Sequence, residues 1–219
     1  MEGIALRDNN YNIPGTLRDD KTERDAVWSV AMQWCMSRDL EAHTSGSTGV
    51  PKPIHLPIGM VCESARRTIG FFGLTARSHI HSCVSARFIG GKMMVVRALE
   101  AGCGFSYEIP SNRPELATLS RIDLLAVVPS MMWHILKRKE EGTLPDVRNI
   151  IVGGAPVPEP LRQAIASSGL KVYETYGMTE TASHIALRRI ESIERPFIPL
   201  PGIDISLDSR GCLVIDINS

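Results

Sequence analysis

The stretch DLLAVVPSMMWHILKRKEEGTLPDVRNIIVGG, Asp123 to Gly154, decides the fold. Its first part, Asp123 to Val128, is a continuous apolar run suited to a strand buried on both faces. SMMWHILKRKEE then reads as a helix stopped by Gly142, with Met131, Met132 and Trp133 as core residues. VRNIIVGG, Val147 to Gly154, returns to buried strand. A strand, a helix and a second strand with short connections form the right-handed unit of a parallel sheet.

The alternation extends in both directions. Downstream, PEPLRQAIASSG predicts a helix with a glycine stop and LKVYETYG a strand. Upstream, GFSYEI predicts a strand, and RPELATLS a short helix with Pro114 in its first turn. GKMMVVRALEAG predicts a helix ending at Gly102, and HIHSCVSARF, His79 to Phe88, has strand character. PIGMVCESARRTIGFF reads as a helix opened by Pro57, and DAVWSVAMQWCMSRD places positions 27, 30, 31, 34 and 35 on one helical face. The fold class is α/β with a mostly parallel βαβ sheet. PLPGIDISLDSRGCLVIDIN, from Pro199, breaks the pattern with two alternating strands around DSRG, a β-hairpin that opens a β-rich subdomain. The expected organisation is a helical segment over 1–40, a core over 41–198 and the start of a β subdomain over 199–219.

Composition excludes several classes. The formal net charge is zero and no basic stripe appears, which argues against a nucleic-acid partner. The five cysteines include no C-x-x-C pair, so they read as small buried hydrophobes in a reducing compartment. No signal-peptide core or membrane-length apolar run is present, and the expectation is a soluble, cytoplasmic chain with no membrane partner. Homo-oligomerisation stays open. His79 and His81 share a strand face, but with no third ligand in view their reading is structural or surface.

HTSGSTGVPKPIHLP, His43 to Pro57, carries the chemistry. Its glycines, hydroxyls and lysine suit a polyphosphate. It lacks the Walker A pattern, and Pro51 and Pro53 disfavour a following helix, so the loop must join extended segments.

TSGSTGVPK resembles the phosphate loop of the adenylate-forming superfamily, which includes acyl-CoA synthetases, nonribosomal adenylation domains and luciferases. YETYGMTETAS, Tyr173 to Ser183, is similar to that family's adenine and Mg²⁺ motif, and IIVGGAPVP to its glycine turn. The resemblance covers residues 41–219. It implies that Thr44, Ser45, Gly46, Ser47, Thr48, Gly49 and Lys52 handle the β- and γ-phosphates. It also implies that Gly153, Gly154, Ala155, Glu174, Tyr176, Gly177 and Met178 line the AMP site, with Tyr176 on the adenine. Thr179 would bond the α-phosphate and Glu180 would ligate Mg²⁺, making Lys52, Thr179 and Glu180 the catalytic set. The implied activity is ATP-dependent adenylation of a carboxylic acid, with loss of pyrophosphate, followed by transfer to CoA.

Within the superfamily, YGMTETAS followed by HIALRRI resembles o-succinylbenzoate–CoA ligases of menaquinone biosynthesis, in the compact form suggested by GGKMMVVRALEAG. The alternatives are another aryl- or acyl-CoA synthetase, or a non-catalytic nucleotide-binding module. SARFIGG has Arg87 and Phe88 where many such ligases carry phenylalanine followed by histidine. The second carboxylate of such an acid needs a cation or a donor-rich pocket, and Arg87, Lys92, Arg97 and His184 are candidates, with Arg87 the best because it precedes a glycine-rich helix start; Phe88 beside it is a further substrate-site candidate. Arg97 has a second reading, a helical side chain snorkelling to solvent, and His184 another, a satisfied buried histidine. The family's later ribose-binding, hinge and lid motifs are expected to be missing, so the sequence reads as C-terminally truncated and weakly active.

Overall fold

The computed structural model describes residues 21–44, 52–116, 119–191, 193 and 195–217. In chain order come α1 (Lys21–Met36), β1 (Asp39–Thr44), β2 (Lys52–Pro57), α2 (Ile58–Phe72), β3 (His79–Ser82), α3 (Ile89–Ala101) and β4 (Gly104–Tyr107). There follow β5 (Arg121–Ile122), β6 (Leu124–Val127), α4 (Pro129–Glu140), β7 (Asp146–Val147), β8 (Ile150–Val152), α5 (Glu159–Ser167) and β9 (Val172–Met178). A 3-10 turn (Thr179–Thr181), β10 (Ser183–Arg189), β11 (Ile198–Pro199), β12 (Ile203–Leu207) and β13 (Leu213–Ile217) complete it.

The main sheet has seven strands in the order β11-β10-β9-β8-β6-β3-β4. From β4 to β9 every pairing is parallel, and β10 and β11 add antiparallel strands. The quoted Asp123–Gly154 stretch explains why helices cover both faces. Along β6, Leu124 and Ala126 pack with Val61 and Ala65 of α2 and Met93, Met94 and Val96 of α3. Leu125 and Val127 point the other way, onto Met131, Met132 and Ile135 of α4 and Leu161 and Ile165 of α5. A period of two with apolar residues at both phases needs a cover on each side. Gly73, Gly102 and Gly142 stop α2, α3 and α4 at positive φ.

The tail behaves as its alternation predicts. β12 and β13 pair antiparallel, and Leu200, Ile203, Ile215 and Ile217 pack on Ile185 and Leu187 of β10. The glycine loop is flanked by extended segments, since β1 and β2 form an antiparallel ladder.

Four expectations change. Arg113–Leu116 is not helical; the Glu115 N–H donates to the Glu108 carboxylate 2.9 Å away, and Leu116 takes a φ of 44°. A tertiary acceptor has replaced the helical one. The strand at His79 ends at Ser82, where the chain turns into a loop. Trp133 is 52% exposed while Met131 and Met132 are buried, because three consecutive residues of a helix cannot all face one sheet. Of the cysteines, Cys83 is buried, but Cys35 and Cys212 are exposed.

Candidate active site

Open parallel sheets gather ligands beyond the carboxyl ends of their strands. Three segments meet that edge here: Cys83–Phe88 after β3, Gly153–Pro158 after β8 and the Thr179–Thr181 turn after β9. β1 also packs against this turn. Its last residue, Thr44, pairs with Lys52, so both stand at the base of the glycine loop. Ser45, Gly46, Ser47, Thr48 and Gly49 lie outside the described residues.

The turn is held rigidly. The Thr181 hydroxyl accepts the Met178 N–H at 3.0 Å and lies 2.8 Å from the Ser183 carbonyl. Ala182 and Ser183 adopt φ values of 51° and 82°, a left-handed conformation uncommon outside glycine. Ser64 of α2 donates to the Ala182 carbonyl at 2.8 Å and braces it. Gly177 faces His184 across the ladder, and a side chain there would strike the Ser183 carbonyl and the His184 backbone. The result is a fixed platform. It carries a half-buried Thr179 and an exposed Glu180 that forms no ion pair among the described residues. A free carboxylate beside a hydroxyl is an all-oxygen donor set that suits Mg²⁺.

Tyr176 is 39% exposed and its ring centroid lies 5.8 Å from that of Phe197. The Arg188 guanidinium covers the same Phe197 ring at 4.4 Å. Gly154 has a φ of 82°, and a Cβ on Gly153 would meet the Thr175 hydroxyl, so the Gly153–Ala155 turn lies close against β9. Glu174 sits in β9 beside these residues, but its carboxylate is engaged elsewhere. Arg162 reaches it at 2.9 Å, Arg188 at 2.7 Å and the Val157 N–H at 3.4 Å. Burial alone would raise its pKa, and the two arginines outweigh that and hold it below the usual carboxylate value. Glu174 therefore ties the glycine turn and α5 to β9 and β10.

The acid-side candidates separate. Arg87 and Phe88 are exposed on the loop after β3. Lys92 is buried; burial lowers its pKa and Glu41 opposes the shift. His184 is buried with both ring nitrogens engaged: Thr68 Oγ1 at 2.9 Å from Nε2 and an Arg97 amine at 3.4 Å from Nδ1. Thr68 donates its own proton to the Ser64 carbonyl at 3.3 Å, and arginine can only donate. Nε2 therefore carries the hydrogen and Nδ1 accepts. Burial and the Arg97 charge push the His184 pKa well below 6.5, so the ring is neutral.

Arg97 does not snorkel. It is fully buried, no carboxylate pairs with it among the described residues, and its Nε has no partner. Burial brings its pKa down to about 9, still charged at neutral pH. A signal for this lay in the sequence: from Met93 to Leu99 the helix is otherwise apolar all round, so it offers no wet face to snorkel to. Sequence reasoning also missed Thr68, Phe197 and Glu23. Glu23 of α1 is buried and accepts hydrogen bonds from the Ser85 hydroxyl and the Ala86 N–H, anchoring the loop that bears Arg87.

No described helix is long and apolar enough to cross a membrane. Residues 41–214 match the family model described as AMP-binding enzyme. The chain is 32% identical over 148 residues to the 2-succinylbenzoate–CoA ligase of Bacillus cereus (strain AH820), covering 65% of this chain and 30% of that protein. It is 31% identical over 168 residues to the ligase of the same name from Geobacillus kaustophilus (strain HTA426), covering 72% of this chain and 34% of that one. The chain thus spans about a third of the length of the curated relatives it matches. An acyl-CoA synthetase (AMP-forming)/AMP-acid ligase II-like protein from Dyadobacter fermentans superposes with a TM-score of 0.78 at 34% identity, covering 87% of this chain and 56% of that one. O-succinylbenzoate coenzyme A synthetase from Bacillus subtilis, solved with ATP and magnesium, gives 0.68 at 25% identity, covering 80% and 38%. Fold, motif order and a family match across most of its length together make this chain a member of the AMP-binding enzyme family.

Proposed function

We propose that the chain forms the nucleotide- and acid-binding core of an AMP-forming acid–CoA ligase whose acid is o-succinylbenzoate. The observation that carries the choice of acid is Arg97, a fully buried guanidinium beside the His184 ring with no carboxylate partner among the described residues. A buried cation without a counter-ion is costly to the fold. A substrate with a second carboxylate would supply the missing anion.

In this reading Tyr176 offers a face to the adenine, and the Gly153–Ala155 turn borders it with backbone. Thr44, Lys52 and the glycine loop hold the β- and γ-phosphates, and Thr179 donates to the α-phosphate. Glu180 would hold Mg²⁺, which offsets phosphate charge when bound. The acid's carboxylate oxygen attacks the α-phosphorus, a P–O bond forms and pyrophosphate leaves with its electron pair. Lys52 meets the charge that builds on the departing group. A CoA thiolate then attacks the acyl carbon and AMP departs. No residue forms a covalent bond with substrate; the fixed platform acts by positioning. The remaining acid-side candidates have lesser parts: His184 holds Arg97, while Arg87 and Phe88 stay exposed after β3 and Lys92 is buried in α3.

ATP–pyrophosphate exchange across a panel of aromatic acids with and without a second carboxylate tests the reading. So does calorimetry with non-hydrolysable acyl-adenylate mimics of the same acids. The expected result is selective exchange, or at least selective binding, for o-succinylbenzoate. Equal response to benzoate would assign another acyl- or aryl-CoA synthetase, and no binding of any mimic would leave a nucleotide-binding module.

A further inference from the structure

A second polar cluster lies apart from the residues just described. His81 is the penultimate residue of β3, Cys83 follows that strand directly, and Glu108 follows the neighbouring strand β4. All three are buried, at 3%, 0% and 6% exposure. One imidazole nitrogen, the sulfur and one carboxylate oxygen lie within 4.8 Å of one another. Cys83 Sγ is 3.0 Å from Glu108 Oε1, and His81 Nε2 is 3.8 Å from the same oxygen. The second distance is too long for a hydrogen bond, and Nε2 has no hydrogen-bond partner. An unpaired ring nitrogen, almost wholly buried, is therefore aimed at a thiol and a carboxylate.

The far side of the imidazole is arranged as well. His81 Nδ1 is 2.7 Å from Ser106 Oγ, and the same hydroxyl is 2.7 Å from His79 Nε2. One hydroxyl proton can serve only one ring. If Ser106 donates to His79, it accepts from His81 Nδ1–H, and the lone pair of His81 rests on Nε2, facing the cluster. Metal-bound histidines are oriented in this way, by a hydrogen bond from the other ring nitrogen. The second carboxylate oxygen of Glu108 is fixed by the Glu115 N–H at 2.9 Å, leaving Oε1 to the cluster.

We propose that His81 Nε2, Cys83 Sγ and Glu108 Oε1 bind a divalent cation of the zinc class. One nitrogen, one sulfur and one oxygen form a borderline donor set that suits zinc better than magnesium or calcium. Bonds of about 2.0 Å to nitrogen and oxygen and about 2.3 Å to sulfur set tetrahedral donors about 3.3 to 3.5 Å apart, so the 3.0 Å sulfur–oxygen pair opens and the 3.8 Å nitrogen–oxygen pair closes, each by about half an ångström. Binding replaces the thiol proton of Cys83, which leaves to solvent, and water would complete the tetrahedron. The ion would fasten the carboxyl ends of β3 and β4 together, beneath the loop that carries Arg87. Sequence reasoning paired His81 with His79, which is not in the cluster; the other donors are Cys83 and Glu108, the latter just after β4 and 25 residues beyond Cys83.

The test uses the whole 219-residue chain. After stripping with chelator, it is equilibrated with Zn²⁺, or with Co²⁺ as a spectroscopic probe, and passed over a desalting column. The expected result is one ion per chain and a thiolate-to-cobalt charge-transfer band. Cys83→Ser removes the band, whereas Cys103→Ser keeps it. Glu108→Gln and Ser106→Ala each weaken Zn²⁺ binding by roughly tenfold or more. Saturating Zn²⁺ raises the wild-type Tm by about 5 °C or more. A wild-type chain that is folded but retains no ion and shows no band overturns the proposal, whatever the variants do. Retention of the band by Cys83→Ser overturns it too.

Discussion

Two buried ionic groups, both next to β10, are treated in opposite ways. Glu174 receives two arginines and a backbone N–H, and every charge in that knot is answered within the chain. Arg97 receives a neutral histidine, a thioether sulfur 3.6 Å away and no carboxylate among the described residues. Burying a charge costs several kcal/mol unless a partner offsets it. The first arrangement spends that cost on architecture, because it joins α5, the glycine turn and two strands. The second leaves the cost outstanding, and we read it as a place kept for an anion that arrives with the substrate.

Breaking the complete knot should have the largest effect. Glu174→Gln leaves Arg162 and Arg188 facing a neutral amide, and an expected loss of about 3 kcal/mol of stability is checked by urea unfolding. Substituting Arg97 should do the reverse. Arg97→Met is expected to leave stability unchanged or slightly higher. It should weaken binding of an o-succinylbenzoyl-adenylate mimic by roughly 10- to 100-fold, the worth of one charged hydrogen bond, with little effect on ATP. If Arg97→Met unfolds the chain as Glu174→Gln does, the contrast between the two groups fails.

A smaller effect comes from pH. His184 is neutral in the native state, with a pKa well below 6.5 caused by burial and then by Arg97. The unfolded chain takes up a proton that the native chain refuses, so stability falls as pH drops below about 6.5. The slope owed to this residue is at most about 1.4 kcal/mol per pH unit. His184→Gln should flatten the stability profile between about pH 6.5 and 5 by that amount, with His79, whose pKa burial also lowers, still contributing. Phe197→Leu should matter least. It removes the ring beside Tyr176, and ATP affinity is expected to fall by about two- to tenfold in calorimetry, with stability nearly unchanged.

Most of the parallel sheet was legible because its strands announce themselves. DLLAVV and NIIV are apolar at both phases, and only a strand covered on two sides needs that. The hairpin of the tail was legible from strict alternation. The antiparallel strand β10 was not assigned from HIALRRI, because its apolar residues are ended by two arginines that look like a solvated edge. Arg188 is in fact spent on Glu174 and Phe197. RPELATLS failed as a helix for a comparable reason: the acceptor that claims Glu115 lies on another segment, and local propensity cannot see it. In the candidate site, the motif residues Thr44, Lys52, Tyr176, Thr179 and Glu180 were singled out from the order of their motifs along the chain, and their roles are part of the proposal. Arg97 was named but given a snorkelling alternative, although the otherwise apolar run from Met93 to Leu99 leaves its helix no wet side. Thr68, Glu23 and the Cys83–Glu108 contact were out of reach, being pairings across long sequence separations.

Glu23 has a bearing on how this molecule could be re-engineered. It is a buried carboxylate whose two oxygens are taken by Ser85 and Ala86, and it precedes residue 41, where the family match begins. A loop transplanted from another member of the family into positions 83–88 would bring its own residues but not its own anchor. The recipient's glutamate would then be left facing whatever the graft supplies. A graft of this loop between such proteins is therefore not a matter of one cassette: the donor's loop and the helix that grips it have to travel as a pair.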